Sequence, residues 1–243
     1  MKTPGAEFDD YARESYSAGM EDGFKRLMGE SARIFLEHKA AWLIDHLRKG
    51  GVHTGEKALL DVGCGTGAFL QVLQEQGYAG KLGGCDVSSG MLKQSSQLSF
   101  SGERPSFHQL TLGEGLPFEE ESFDFVTILC VYHHIEPPER AAMTRELFRV
   151  LKPGGYAFVF EHNPWNPATQ WIVSRCPIDV NAKLLSSRAL GSLLDGAGYK
   201  EIRTDFLLFF PPRLRGLWTK EKYLSWLPLG GQYVTYAKKP SGI

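Results

Sequence analysis

The segment LLDVGCGTG, Leu59 to Gly67, joins an apolar run that predicts a strand to a periodic run that predicts a helix. Gly63, Gly65 and Gly67 let the backbone turn sharply and let a ligand approach the main chain closely. Such a turn after the first strand is where doubly wound sheets bind nucleotides. Ala68 stands where the dinucleotide fingerprint has its third glycine, so the segment favours a cofactor that carries no pyrophosphate.

Acidic residues accompany this turn. Asp86 closes the second predicted strand, in GGCDVS, and is placed there to accept hydrogen bonds from both ribose hydroxyls of a nucleoside. Asp61 lies inside the glycine-rich segment, where it can support the loop or face a cationic amino group through water. The pattern predicts a nucleoside site at the end of the first two strands.

Strand and helix patterns alternate through most of the 243 residues, which predicts an α/β fold with a mainly parallel sheet. We expect residues 1–50 to form an N-terminal helical cap or lid, and residues 51–243 to form the main domain. Two long connections, at about 163–186 and 211–230, exceed the usual 2–6 residues for such folds. We expect them to form a substrate cover.

The composition excludes several classes of function. A net charge of -1 and no Lys/Arg-rich run argue against nucleic acid as a partner, and leave a local basic patch open. No apolar run approaches the length of a membrane span, and the acidic N-terminus has no signal core, so we expect no membrane partner and a cytoplasmic location. Four separated cysteines without a CxxC pair predict no disulfide framework and no metal site.

Four segments occur in order across residues 57–162: LLDVGCGTGAFL, GCDVSSGML, LPFEEESFDFVTILCVYHHI and RELFRVLKPGGYAFVFEH. They resemble successive motifs of class I S-adenosylmethionine-dependent methyltransferases, and four ordered motifs are far more specific than one glycine turn. The resemblance implies a Rossmann-like, doubly wound sheet of seven strands, mostly parallel with an antiparallel last strand and with helices on both faces. It implies S-adenosyl-L-methionine as the cofactor.

The resemblance also assigns cofactor contacts. It places the three glycines at the methionine part of the cofactor, Asp86 at the ribose, and Val87 and Met91 beside the adenine. The family usually has an aspartate that accepts from the adenine amino group where this chain has Leu112; the backbone or Glu114 could substitute. The implied set is Asp61, Gly63, Cys64, Gly65, Gly67, Asp86, Val87, Met91, Leu112, Cys130 and Val131.

Four ionisable residues near the implied site are candidate catalytic groups: His133, His134, Glu161 and His162. A sulfonium methyl group is already electrophilic, but a hydroxyl acceptor is helped by a general base. The family often carries a histidine at the position of His134. In extended backbone His133 and His134 point to opposite faces, so we expect one of them to face substrate. The alternative for each histidine is a structural hydrogen bond, and for Glu161 polar packing.

The segment EHNPWNP, Glu161 to Pro167, resembles part of the Asn-Pro-Pro-aromatic tetrad of methyltransferases that act on nucleic acid bases. That tetrad follows the fourth strand, whereas this segment follows the fifth, and Trp165 replaces the second proline. We therefore interpret the segment as a substrate-side wall that includes Asn163 and Trp165. Tyr11 and Tyr16 are candidate lid aromatics. For all these aromatic residues, packing or a dimer contact is the alternative.

The leading hypothesis is methyl transfer to a small-molecule acceptor, at oxygen. One alternative is a methyltransferase that acts on a macromolecule such as RNA or protein. A second is a catalytically inactive cofactor-binding scaffold, and a third is a dinucleotide-dependent dehydrogenase. The early third glycine argues against the dehydrogenase, and the missing basic runs argue against RNA. The sequence is compatible with a monomer or a homodimer.

Overall fold

The structure is a computed structural model that describes residues 32–176, 179 and 181–242. Tyr11 and Tyr16 lie outside the described residues. A seven-stranded sheet has the order β3-β2-β1-β4-β5-β7-β6. The strands are β1 (Leu59–Val62), β2 (Leu82–Asp86), β3 (Ser106–Gln109), β4 (Phe123–Leu129), β5 (Leu151–His162), β6 (Lys200–Leu207) and β7 (Gln232–Lys238).

The strand directions confirm the predicted fold class. β1 pairs with β2, β2 with β3, and β4 with β5 in parallel, whereas β7 is antiparallel to both β5 and β6. All four residues of β1 and five of the seven in β4 are buried. Near-continuous apolar runs in these strands are therefore explained by burial on both faces.

Three of the six described α-helices begin at a residue whose side chain caps the helix. Ser88, Asn166 and Ser186 each accept a hydrogen bond from the backbone N–H three residues later, which satisfies one of the orphan donors of a first helical turn. The α-helices are α1 (Arg33–Lys49), α2 (Ala68–Glu75), α3 (Ser89–Ser95), α4 (Pro137–Val150), α5 (Pro167–Val173) and α6 (Ser187–Gly196). None of the described helices is long and apolar enough to cross a bilayer.

The chain divides into two compact units, Met1–Pro117 and Phe118–Ile243. In the first unit, the Arg33 guanidinium of α1 donates to the side chain of Gln71 in α2 at 2.9 Å and also pairs with Glu75. In the second unit, β4 to β7 are accompanied by α4, α5 and α6. The predicted domain boundaries remain predictions.

The long connection after β5 contains a helix that the sequence analysis did not predict. Asn166 caps α5 and Pro167 occupies its first turn, where a missing N–H costs nothing. The connection between β6 and β7 contains a 3-10 segment, Pro212–Tyr223, that is kinked at Leu214. Both connections are thus more ordered than their irregular sequence pattern indicated.

Candidate functional site

The glycine turn has the backbone conformation that its sequence predicts. Gly63, Gly65 and Gly67 have φ values of 73°, 55° and 82°, in the left-handed region that favours glycine. The N–H groups of Gly63 and Cys64 donate to the Cys85 carbonyl at 2.7 and 3.0 Å, which fastens the turn to the end of β2. The turn is therefore held in a conformation in which no side chain at the three glycines blocks a ligand from the main chain.

Asp86 organises the ligand side of this turn. Its Oδ2 accepts from the Gly65 N–H at 2.8 Å, and its Oδ1 accepts from the Ser88 N–H at 2.8 Å. A carboxylate has about four lone-pair positions, so each oxygen can accept a further hydrogen bond from a ligand. The Ser88 side chain in turn caps α3 at Met91, whose sulfur lies 4.0 Å from where a Gly65 side chain would begin.

The other residues of the implied cofactor set in the first unit differ in accessibility. Asp61, Cys64 and Met91 are buried, and Val87 is half-buried. Burial raises the pKa of the Cys64 thiol far above its ordinary range, and the carboxylates of Asp61 and Asp86 add to the effect, so this thiol stays protonated. Leu112 is 51% exposed, and nothing in the structure tests its role in adenine recognition.

Replacing Gly67 by alanine is expected to destabilise the first unit by about 1–3 kcal/mol, because a Cβ would lie 2.8 Å from the Phe107 ring and in a left-handed conformation. Gly77→Ala is the matched control, since Gly77 has φ +95° with nothing within 4 Å of its Cβ position. Urea denaturation without cofactor measures both variants. Equal losses would show that the Phe107 contact has no effect.

A buried charged cluster occupies the second unit, where the ends of β4 and β5 carry the candidate catalytic residues. Glu161 Oε2 is 2.7 Å from His133 Nδ1, and His133 Nε2 is 3.3 Å from Asp179 Oδ1. Glu161 Oε1 accepts from the Tyr132 N–H at 2.7 Å, and its Oε2 lies 3.3 Å from the His162 N–H. His133 and Glu161 are almost fully buried. The cluster is a carboxylate–imidazole–carboxylate chain.

The charges of this chain follow from its geometry. Burial by itself lowers the pKa of His133, but the Glu161 and Asp179 carboxylates outweigh burial and raise that pKa to about 10. Burial raises the pKa of Glu161, and the His133 cation and hydrogen bond more than offset this, so the net shift is downward. His133 is therefore a cation at neutral pH, held between two anions.

His134 differs from its neighbour in charge. Burial, followed by repulsion from the His133 cation, lowers its pKa to about 4, so it is neutral at physiological pH. Its Nε2 lies 3.5 Å from Asp179 Oδ1, and its ring centroid is 4.2 Å from that of His133. The expectation that these two histidines point to opposite faces is wrong. β4 ends at Leu129, so both lie in a 3-10 turn and reach the same carboxylate.

Cys130 marks the end of β4 and explains this change of direction. It has φ 56°, an unusual conformation for a residue with a side chain. Its N–H still donates to the Phe160 carbonyl of β5 at 2.8 Å, after which the chain leaves the sheet. Val131 is half-buried beside it. A strained residue at this point is a common mark of a functional site.

Asp179 is a member of the cluster that the sequence analysis missed. The loop that carries it is fixed to the histidine turn, because the Lys183 N–H donates to the His133 carbonyl at 2.8 Å and Arg140 Nη2 donates to the Lys183 carbonyl at 2.5 Å. Asp179 is separated from the histidines by more than forty residues and has no local motif. The sequence carried no signal for this contact.

His133, His134 and Asp179 also offer three atoms within 4.8 Å of one another that could hold a metal ion. Two imidazoles and a carboxylate suit zinc or iron(II). A metal ion at this site would have to displace the proton that the Glu161 and Asp179 carboxylates stabilise on the His133 ring. The prediction of no metal site therefore stays a prediction, and the donor set is better explained as an ion-pair network.

Gln232 is a second residue that the sequence analysis missed. Its Nε2 lies 3.2 Å from His162 Nδ1 and 3.8 Å from the Cys130 sulfur. Its Oε1 is one of two buried side-chain polar atoms without a hydrogen-bond partner among the described residues, the other being the Tyr199 hydroxyl. If the amide nitrogen of Gln232 faces His162 Nδ1, that ring nitrogen accepts; if the amide oxygen faces it, the ring nitrogen carries the proton.

The predicted substrate-side wall has two unlike members. Asn163 is buried, and its Nδ2 donates to the carbonyls of Pro228 and Gly230 at 3.1 and 2.8 Å. Its Oδ1 accepts from the Trp165 N–H at 3.1 Å, whereas the Trp165 side chain is 72% exposed. Asn163 therefore joins the two long connections, and the roles of both residues toward substrate stay predictions.

A family model described as a methyltransferase domain matches residues 59–155, from β1 into β5. Residues 59–155 are a class I methyltransferase domain. The cofactor of this family is S-adenosylmethionine, which confirms the predictions of family and cofactor. The matched range includes the glycine turn, Asp86 and the histidine turn.

Among curated relatives, a demethylmenaquinone methyltransferase from Oceanobacillus iheyensis is 38% identical over 132 residues, which are 52% of each chain. The chain thus spans about half the length of the curated relatives it matches. A solved methyltransferase from Archaeoglobus fulgidus has a TM-score of 0.64 at 18% identity, covering 89% of this chain and 98% of its own. Phosphoethanolamine N-methyltransferase 2 from Haemonchus contortus has a TM-score of 0.66 at 17% identity, covering 96% and 60%. These structures support the fold alone.

Proposed function

We propose that this chain transfers the methyl group of S-adenosylmethionine to an oxygen atom of a small-molecule acceptor. The observation that carries the proposal is the glycine turn fastened to Asp86 within a matched methyltransferase domain. That arrangement presents bare backbone and a carboxylate, which suit the methionine and ribose parts of the cofactor. The relatives named demethylmenaquinone methyltransferase support a small organic acceptor.

The second unit supplies groups that can assist an oxygen acceptor. We assign His134 as the general base, because it is the neutral imidazole of the cluster and keeps a partly exposed side chain. A base with a pKa of about 4 is weak, so it suits an acidic hydroxyl such as a phenol or an enol. The neighbouring His133 cation favours the oxyanion that forms when the acceptor hydroxyl gives its proton to His134; methyl transfer then neutralises that oxyanion together with the sulfonium.

Glu161 and His133 have positioning roles in this proposal. Glu161 is fully buried beside the His133 cation, which lowers its pKa, so it is a poor base for a substrate proton. His133 carries a proton on each ring nitrogen and has no lone pair with which to act as a base. We infer that both hold the 3-10 turn in the orientation that His134 needs.

Methyl transfer is tested by incubating the full chain with methyl-labelled S-adenosylmethionine and a library of phenols, enols, amines and thiols. We expect label in hydroxyl-bearing acceptors, with the transferred carbon identified as an O-methyl group by NMR. Label found in amines or carbon positions would refute the oxygen assignment but leave methyl transfer intact. Loss of label to water alone, with every acceptor class inert, would count against methyl transfer.

His134→Ala is expected to lower kcat by about 10²–10⁴ while S-adenosylmethionine binds as tightly as before, because a general base acts on the acceptor and not on the cofactor. Steady-state kinetics with a labelled acceptor and calorimetry with cofactor measure the two effects. His108→Ala is the control, since that exposed histidine in β3 lies outside the cluster. An unchanged kcat for His134→Ala would remove it from the mechanism.

A further inference from the structure

Large apolar side chains are exposed almost exclusively in the two long connections of the second unit. Of the eight exposed ones among the described residues, seven lie between residues 165 and 229, and the eighth is Leu112. Single exposed apolar residues are normal, but a concentration of this kind marks an interaction site. The seven are Trp165, Trp171, Leu214, Leu217, Tyr223, Trp226 and Leu229.

Hydrogen bonds fasten the two connections to each other. The Asn163 and Asn166 side-chain amides donate to the carbonyls of Pro228, Leu229 and Gly230 at 2.8 to 3.1 Å. The Thr169 hydroxyl donates to the Gly231 carbonyl at 2.8 Å. The loop that carries Trp165 is therefore fixed to the loop that carries Leu229, so exposed side chains of the two connections lie in neighbouring segments.

The exposed charge of this region is of one sign. Residues 211–230 contain one acid, Glu221, and it is buried, accepting from the backbone N–H groups of Leu208, Phe209 and Phe210 at 2.8 to 3.3 Å. Residues 163–176 contain no acid, and their one cation, Arg175, lies 4.2 Å over the Trp171 ring. The exposed cations are Arg213, Arg215, Lys220, Lys222 and Arg175.

We propose that this aromatic-basic surface, made of the seven apolar side chains and five cations named above, binds the surface of an anionic phospholipid membrane. Lysine and arginine are attracted to anionic headgroups, while Trp, Tyr and Leu insert at the headgroup level. The Trp226 indole N–H donates to the Tyr223 carbonyl at 3.1 Å, so the ring can enter an apolar layer without an unpaired donor. This inference does not rest on the proposed methyl transfer. It replaces the expectation of no membrane partner, which was based on the lack of a membrane-spanning run.

The same observations disfavour other occupants. Nucleic acid binding uses cations and aromatic rings, but Leu214, Leu217 and Leu229 would have no partner on a polynucleotide. A second copy placed across a two-fold axis would bring the same five cations against themselves with no exposed acid in either connection to compensate. An anionic lipid surface offers headgroups to the cations and an apolar layer to the exposed apolar side chains, so we propose it as the partner.

Co-sedimentation of the full chain with vesicles tests the proposal. We expect binding to phosphatidylcholine vesicles that contain phosphatidylserine, weak binding to phosphatidylcholine alone, and a loss of binding as salt is raised. Arg213→Glu with Lys220→Glu should weaken the anionic-vesicle partition coefficient at least ~10-fold, because each cation near the surface contributes. Arg48→Glu with Lys93→Glu makes the same change in net charge on α1 and α3 and should bind like the parent.

A second variant tests the apolar part. Trp165→Ala with Trp226→Ala removes the two most exposed rings and should weaken partitioning at least ~10-fold, while the circular dichroism spectrum of the folded chain is kept. Equal binding to neutral and anionic vesicles, or equal loss in the matched control, would overturn the proposal. Binding to poly(U) instead of vesicles, or a dimer in light scattering that the tryptophan variant dissociates, would also overturn it.

Discussion

Glu161→Ala is expected to lower the free energy of unfolding by about 3–5 kcal/mol, because it leaves the His133 cation buried with half of its partners removed. The variant also removes the carboxylate that accepts from the Tyr132 N–H, which leaves this buried donor without a hydrogen bond. Urea denaturation followed by circular dichroism measures the change. This is the largest stability effect that we expect from a single substitution of a candidate site residue.

A double-mutant cycle separates the pair from its surroundings. The cycle compares His133→Leu, Glu161→Met and the double variant, in which apolar side chains replace the buried ion pair, and we expect the double variant to be more stable than Glu161→Met alone. Glu146→Ala, in an ion pair with the Arg149 guanidinium on the half-exposed face of α4, should cost less than about 1 kcal/mol. A loss of that small size for Glu161→Ala would show that His133 is neutral.

Asp86→Ala is expected to weaken S-adenosylmethionine binding by about 10²–10³-fold, since we propose that its carboxylate accepts two charge-assisted hydrogen bonds from the ribose hydroxyls, each about 1.5–3 kcal/mol before relaxation. The same change frees the N–H groups of Gly65 and Ser88, so the glycine turn loses its fastening. Calorimetric titration of the cofactor into parent and variant measures the difference.

Asp86→Asn separates the loss of the ribose contacts from the loss of the hydrogen bonds that hold the glycine turn. An amide keeps one acceptor for a backbone N–H but loses the negative charge, so we expect an intermediate affinity with little change in stability. Asp45→Ala, a substitution of an exposed acid on α1, should bind the cofactor like the parent. If Asp86→Ala binds as tightly as the parent, the assignment of this carboxylate to the ribose is wrong.

The fold could be predicted from the sequence because its signals are local. The Leu59–Gly67 turn needs left-handed backbone, which glycine supplies, and the buried strands need unbroken apolar runs. Ser88 and Ser186 cap helices within three residues of themselves. The end of β4 could not be placed in the same way, because Cys130 adopts a conformation that its residue type does not favour.

The candidate site was only partly predictable because its contacts are long-range. Glu161 and His133 are both prominent in the sequence, but only folding brings their side chains within 2.7 Å and makes them a buried ion pair. Asp179 contacts His133, and Gln232 at the start of β7 contacts His162, yet neither residue lies in a recognisable motif, since a single acid or amide has no distinguishing pattern. Adjacent histidines follow strand geometry only while the strand continues, and here it stops at Leu129.

Calorimetric titration of the full chain with S-adenosylmethionine, its demethylated product and NAD tests the central claim most directly. The glycine turn with Asp86, and the family to which residues 59–155 belong, predict saturable binding of both S-adenosyl compounds at one site and no binding of NAD. Binding of NAD alone, or of none of the three compounds by a chain that is folded by circular dichroism, would contradict it.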